Sequence, residues 1–96
     1  MNKPRIMVVC GFGLGSSMVL KLTLDGVLKE EGLKADTFCA DELTAKGEKF
    51  DMVFTSQEMS KLFKDSDKPM VVINNFLSKD EVRKKGLDQV KNLFSE

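Results

Sequence analysis

Residues 5–10 read Arg-Ile-Met-Val-Val-Cys. The run is apolar and lacks the alternation of a strand with one wet face. A strand of this kind is covered on both sides, and sheets covered on both sides are parallel ones with helices packed above and below. The run is too short to cross a bilayer. Lys3 and Arg5 ahead of it imitate a secretory leader, but Gly11, Gly13 and Gly15 break the apolar stretch and no small-residue cleavage pattern follows. A lipid-modified cysteine would want a small residue before it, where this chain has Val9. The expected location is the cytoplasm, with no insertion into the membrane and with Cys10 and Cys39 as free thiols.

The remaining sequence repeats the strand–helix order. Leu20, Leu24, Val27 and Leu28 have helical spacing, and Gly32 after "KEE" is suited to the position just past a helix end. Strands are expected at residues 34–39, 51–56 and 70–74, the last opened by Pro69. The segment 40–50 is polar and irregular, with room for a short helix. Thr55 and Glu58 have capping-box spacing, which predicts a short helix through residues 57–63. Ser78 and Glu81 have the same spacing and predict a last helix to Phe94 that buries Val82, Val90, Leu93 and Phe94, weakened by Gly86. Four strands alternating with helical segments through right-handed crossovers give an α/β fold: a parallel sheet with helices on both faces. With 96 residues the chain is expected to be a single domain, residues 1–96.

Composition narrows the chemistry. Lys+Arg and Asp+Glu are both 15, so the formal net charge is zero and no nucleic-acid partner is expected. The chain has no histidine. Ser-His, Cys-His and His-metal chemistry therefore cannot be built within it, and two cysteines alone make a poor zinc site. No metal or cofactor is expected.

In a parallel sheet, ligands bind at the carboxyl ends of the strands, near the switch in strand order. In a 2-1-3-4 order the first strand borders that switch, and it ends in Cys10-Gly11-Phe12-Gly13-Leu14-Gly15-Ser16-Ser17. Residues 39–41, Thr55 with Ser56, and Asn74 with Asn75 share the same edge. The three glycines are expected to allow φ > 0 and to turn backbone N–H groups inward. Such a ring, closed by a helix N-terminus capped by Ser16 or Ser17, is an anion site. Cys10 stands at its base. A free thiol titrates at roughly 8.5, and a helix N-terminus lowers that, so a relay thiol should react near neutrality. The glycine spacing is not that of a dinucleotide loop, and no lysine precedes the serines as in a Walker A loop.

A phosphate loop with its own nucleophile serves phosphatase chemistry or phosphoryl relay. Phosphatases of the Cys-x5-Arg type, and arsenate reductases with the same loop, use an arginine six positions after the cysteine, where this chain has Ser16. A carrier is better without that arginine, because it must not hydrolyse its cargo. A non-catalytic regulatory module with an inert Cys10 is the remaining alternative.

The stretch "VVCGFGLGSSMVLK" resembles the loop of the IIB components of the bacterial phosphoenolpyruvate-dependent sugar phosphotransferase system (PTS). Within the lactose/cellobiose-type IIB-like group it is most similar to the ascorbate-specific members. "AKGEKFDMVFTSQE" and "PMVVINNFLSKDEVRKK" resemble the later parts of that group, so the resemblance spans nearly the whole chain. It implies a flavodoxin-like four-stranded parallel sheet of order 2-1-3-4, also found in low-molecular-weight phosphatases. It implies a phosphocysteine at Cys10, with residues 11–17 as the phosphate-binding loop. The donor would be phosphohistidine on a IIA protein and the acceptor a sugar, L-ascorbate, in the membrane component IIC. With no IIA or IIC segment here, a separate soluble subunit is expected.

Other residues carry simpler readings. Cys39 is expected to be structural. Phe12 and Leu14 either dock a partner protein or tuck under the loop. Ser16 and Ser17 can cap the helix and hold phosphate together. Thr55, Ser56, Asn74 and Asn75 are caps and turns first and rim second. Lys79, Arg83, Lys84, Lys85 and Lys91 form a solvated helix face.

Overall fold

The central strand forms where the apolar run predicts it. The computed structural model describes residues 3–10 and 14–94, and β1 spans Arg5–Val9. Ile6, Met7, Val8 and Val9 have no solvent exposure, so both faces of the strand are covered. β2 (Asp36–Ala40) pairs with one side of β1 and β3 (Met52–Thr55) with the other, while β4 (Met70–Val72) extends the sheet beyond β3. All three pairings are parallel and the order is β2-β1-β3-β4, as expected. The chain moves outward from β1 to β2, then crosses back over β1 to β3, which puts the switch in strand order at β1.

Side chains of successive strand residues point to opposite faces, and the core divides accordingly. On one face α1 (Leu14–Glu30) and α3 (Lys79–Phe94) cover Ile6, Val8, Phe54 and Val71 with Leu20, Leu24, Val27, Leu28, Val82 and Val90. On the other, α2 (Glu42–Ala45) and a 3-10 turn at Ser60–Phe63 cover Met7, Val9 and Val53 with Ala45 and Phe63. Leu93 and Phe94 are half-buried against the first cluster.

α1 ends as its sequence predicts. Gly32 takes φ +70°, its N–H donates to the Lys29 carbonyl at 3.2 Å, and the Leu33 N–H donates to the Leu28 carbonyl at 2.9 Å. These two bonds satisfy orphan carbonyls of the last turn and need a left-handed residue between them. Gly32→Ala is expected to cost about 1 kcal/mol and to lower the melting temperature by about 4–8 °C, read by thermal circular dichroism.

Tertiary partners override several local signals. The expected helix at 57–63 shrinks to the 3-10 turn, and the Thr55–Glu58 capping box does not form. Thr55 is fully buried, and its hydroxyl donates instead to the Val9 carbonyl at 2.7 Å. Ser56 holds the turn, its carbonyl accepting the Met59 and Ser60 N–H groups at 3.2 and 3.0 Å. The Ser78–Glu81 box is half made. Ser78 Oγ accepts the Glu81 N–H at 3.1 Å, but the Glu81 carboxylate accepts the N–H groups of Asn74 and Asn75 at 2.7 and 2.8 Å. β4 ends at Val72 rather than 74: the Ile73 N–H still donates to the Thr55 carbonyl at 2.9 Å, and from Asn74 on the amides turn toward α3.

The basic side chains of α3 are not simply a solvated face. Lys79 and Arg83 pair with Glu30 of α1, and Arg83 and Lys91 lie 3.7 and 3.8 Å from Glu31. Lys85 pairs with Glu81. Lys84 is exposed. The acidic end of α1 meets this stripe because both helices lie on one face of the sheet. Exposed pairs of this kind contribute little stability each.

Candidate functional site

Cys10 follows the last residue of β1, at the carboxyl edge of the sheet and beside the switch in strand order. It is 3% exposed and packs in the core cluster under α1 and α3. Its N–H donates to Ser17 Oγ at 3.2 Å. Ser17 has no exposure and belongs to α1, so this bond folds the start of the helix back onto Cys10. The first N–H groups of a helix lack intrahelical partners and carry its positive end. The contact with Ser17, in the first turn of α1, brings that end of the helix to Cys10.

Two expectations for the loop are corrected. α1 begins at Leu14, so Ser16 and Ser17 lie inside the helix rather than at its cap. Gly15 is helical too, and among the described residues Gly32 alone has positive φ. A Cβ at Gly15 would meet nothing within 4 Å, so neither backbone nor space demands glycine there. Gly11, Phe12 and Gly13 lie outside the described residues, as do the side chains of Leu14 and Ser16.

The thiol itself departs from expectation. Burial pushes the Cys10 pKa above its ordinary value, a hydrogen bond from Ser17 pulls it down, and Cys39 adds to the rise. The net direction is upward, which favours the protonated thiol over the thiolate. Cys39 is also raised by burial, against the opposing pull of Lys21 and with a further push from Asp25.

Cys39 pairs in register with Val8, two residues before Cys10 and on the same face of the sheet. Strand spacing and rise place the two Cα atoms about 8 Å apart, beyond disulfide reach. Both cysteines are free.

The rim is built from the ends of β3 and β4. Thr55 and Ser56 are buried, and Asn74 and Asn75 are exposed. Burial works against the charge of Glu81, but the Asn74 and Asn75 amides and Lys85 outweigh it and hold that carboxyl below its ordinary value. A cleft of about 290 Å³ lined by Ser56, Gln57, Glu58, Ile73, Asn74 and Phe76 opens at this edge. A larger one, about 440 Å³, lies at the opposite edge around Arg5, Phe50 and Asp67 and holds no thiol. Met18, Val19 and Leu22 are exposed on the early turns of α1. Sequence reasoning missed the tertiary roles of Thr55, Ser17 and Glu81. The short polar side chains signalled caps, and nothing local to them marks a partner 46 residues away, as for Thr55 and Val9.

Among the described residues, no group of three or more His, Cys, Asp or Glu could hold a metal ion. No described helix is long and apolar enough to cross a membrane.

This four-stranded parallel sheet with a cysteine at the end of its central strand is an α/β fold of the flavodoxin-like kind. It matches the lactose-specific IIB component domain of the phosphoenolpyruvate:carbohydrate phosphotransferase system from Streptococcus pneumoniae, with TM-score 0.57 and 12% identity, over 98% of this chain and 97% of that one. Residues 5–86 match the sequence profile of the PTS lactose/cellobiose-specific IIB subunit. The chain belongs to that family, the phosphoryl carriers of sugar phosphotransferase systems. No curated protein matches it.

Proposed function

We propose that residues 1–96 form one IIB domain that works in the cytoplasm. Cys10 takes a phosphoryl group from phosphohistidine of a IIA protein and passes it to a sugar, L-ascorbate, held in the membrane component IIC. The observation that carries this reading is the buried Cys10 at the end of β1, its N–H held at 3.2 Å by Ser17 in the first turn of the next helix. The choice of ascorbate rests on the sequence resemblance of residues 8–21 and of the later stretches around β3 and β4. Exposed Met18, Val19 and Leu22 are the apolar surface offered to the protein partners.

In the first step the Sγ–P bond forms as the donor's N–P bond breaks, and the thiol proton goes to the imidazole nitrogen left behind. A thiol whose burial favours its protonated form suits this step, because its proton acceptor arrives with the donor and the chain has no histidine of its own. Backbone N–H groups of residues 11–17 hold the equatorial oxygens through a loose transition state. In the second step the Sγ–P bond breaks as a sugar oxygen bonds phosphorus, and the hydroxyl proton restores the thiol.

The phosphatase alternative lacks its arginine. The chain has only Arg5 and Arg83. Arg5 opens β1 at the opposite edge, within 3.8 Å of Asp36 and Glu48. Arg83 is paired with Glu30, about 20 Å along α1 from Ser17.

Incubation with phosphoenolpyruvate and the upstream donors, IIA included, is expected to put one phosphoryl group on the chain. Prior alkylation of Cys10 blocks it, and membranes bearing IIC discharge it to ascorbate rather than lactose or cellobiose. Absence of label, or turnover of an aryl phosphate by the chain alone, overturns the reading. Discharge to another sugar overturns only the ascorbate assignment.

A further inference from the structure

The peptide unit that leads into Cys10 is gripped at both of its polar atoms. Thr55 donates its hydroxyl to the Val9 carbonyl at 2.7 Å. The Cys10 N–H donates to Ser17 Oγ at 3.2 Å. Both hydroxyl residues have no solvent exposure, and they come from different elements, β3 and α1. Neither bond belongs to a strand ladder or to a helix.

Their position gives them weight. The register of β1 with β2 ends at Val9 opposite Ala40, and with β3 at Val9 opposite Thr55. Cys10 stands past the last paired residue on both sides, so no strand pairing fixes it. A peptide is planar and rigid. Holding its C=O and its N–H fixes the plane and the Cα of Cys10, and leaves φ as the one torsion before Cβ. Thr55 sits opposite Val9, whose side chain packs on the α2 face, while Cys10 packs on the α1 face. Thr55 therefore reaches the thiol only through the backbone.

We propose that Thr55 is a positioning residue for phosphoryl transfer through Cys10: its hydroxyl and that of Ser17 clamp the peptide between Val9 and Cys10 and set where the thiol stands between donor and acceptor. This rests on the reading of Cys10 as the phosphoryl carrier. The two members of the clamp have separable effects. Ser17 also hydrogen-bonds the thiol, which helps its ionised form. Thr55 acts on placement alone.

The test compares Thr55→Val, Thr55→Ser and Ser17→Ala in a Cys39→Ser background. Three readouts are taken on folded protein: phosphorylation of Cys10 by phosphorylated IIA, the pH profile of iodoacetamide alkylation, and amide hydrogen exchange at Cys10. Thr55→Val is expected to lower the maximal rate about tenfold or more with the KM for IIA unchanged. It speeds exchange at the Cys10 amide and leaves the alkylation midpoint in place. Thr55→Ser restores rate and exchange. Ser17→Ala lowers the rate and moves the alkylation midpoint upward. If Thr55→Val does not fold, Thr55→Ala takes its place. A Thr55→Val variant with the wild-type rate and exchange overturns the clamp, as does a Thr55→Ser variant as slow as Thr55→Val. A wild-type chain that takes no phosphoryl group overturns the carrier reading instead, and the exchange measurement still decides whether the clamp exists.

Discussion

Replacing Cys10 with serine is expected to abolish phosphoryl acceptance. The two side chains are close in size, so the core cluster and the bond from the Cys10 amide to Ser17 should survive. The chemistry does not survive. A buried thiol, already above its ordinary pKa, still gives up its proton to a departing imidazole. An alcohol ionises far higher, and no histidine in the chain can serve as its base. The expected loss is on the order of 10³-fold or more, measured as the initial rate of transfer from labelled IIA. Cys39→Ser should run near the wild-type rate, because Cys39 stands about 8 Å away along β2 and affects Cys10 only through charge. A Cys10→Ser variant that labels as fast as the wild type removes the nucleophile from the proposal.

The sheet was legible because its signals are properties of single segments. Residues 6–9 carry no polar side chain and include two β-branched valines and an isoleucine, which suits a strand covered on both faces. Gly32 was legible because one backbone conformation, φ +70°, asks for glycine. The order of strands was not legible in the segments themselves: right-handed crossovers allow several orders of four parallel strands, and 2-1-3-4 came from the family resemblance. Nor was it legible where a short polar side chain finds its partner. Thr55 at capping-box spacing from Glu58 reads as a local cap, yet the nearest buried acceptor is the Val9 carbonyl on the next strand. A hydroxyl with no exposure takes the partner that is buried with it. Glu81 shows the same competition, abandoning the box for two exposed loop amides.

The site was legible in part for a related reason. Cys10 at a strand end before a helix needs only the order of elements, and the structure puts it at the sheet's carboxyl edge. The protonation of its thiol depends on how deeply the core encloses it. Packing of Leu20, Leu24 and Ile73 into one cluster with Cys10 is a tertiary fact that no spacing in residues 10–17 records. With Leu14 and Gly15 already helical, Ser17 lies inside the helix and its hydroxyl accepts the Cys10 amide behind it.

The largest stability effects are expected where α3 crosses the sheet. Gly86 lies in the middle of α3 and is buried. A Cβ there would stand 2.7 and 2.8 Å from ring atoms of Phe54 and 3.4 Å from Val71 Cγ2. Phe54 has no exposure and sits on β3, so its ring cannot swing into solvent. Gly86→Ala gains about 1 kcal/mol of helix propensity but incurs about 1–3 kcal/mol of overpacking, and the net is expected to be destabilising. The glycine read from sequence as a weakness is thus what lets α3 approach. Phe54→Ala is expected to cost about 3–5 kcal/mol, a large share of a total stability of roughly 5–15 kcal/mol. Because the two positions compete for one space, Phe54→Leu with Gly86→Ala should be less destabilised than the sum of the single changes. Guanidinium unfolding of the two singles and the double measures this. A Gly86→Ala variant more stable than the wild type, or strict additivity in the double, would mean that the ring of Phe54 does not set the height of α3 above the sheet.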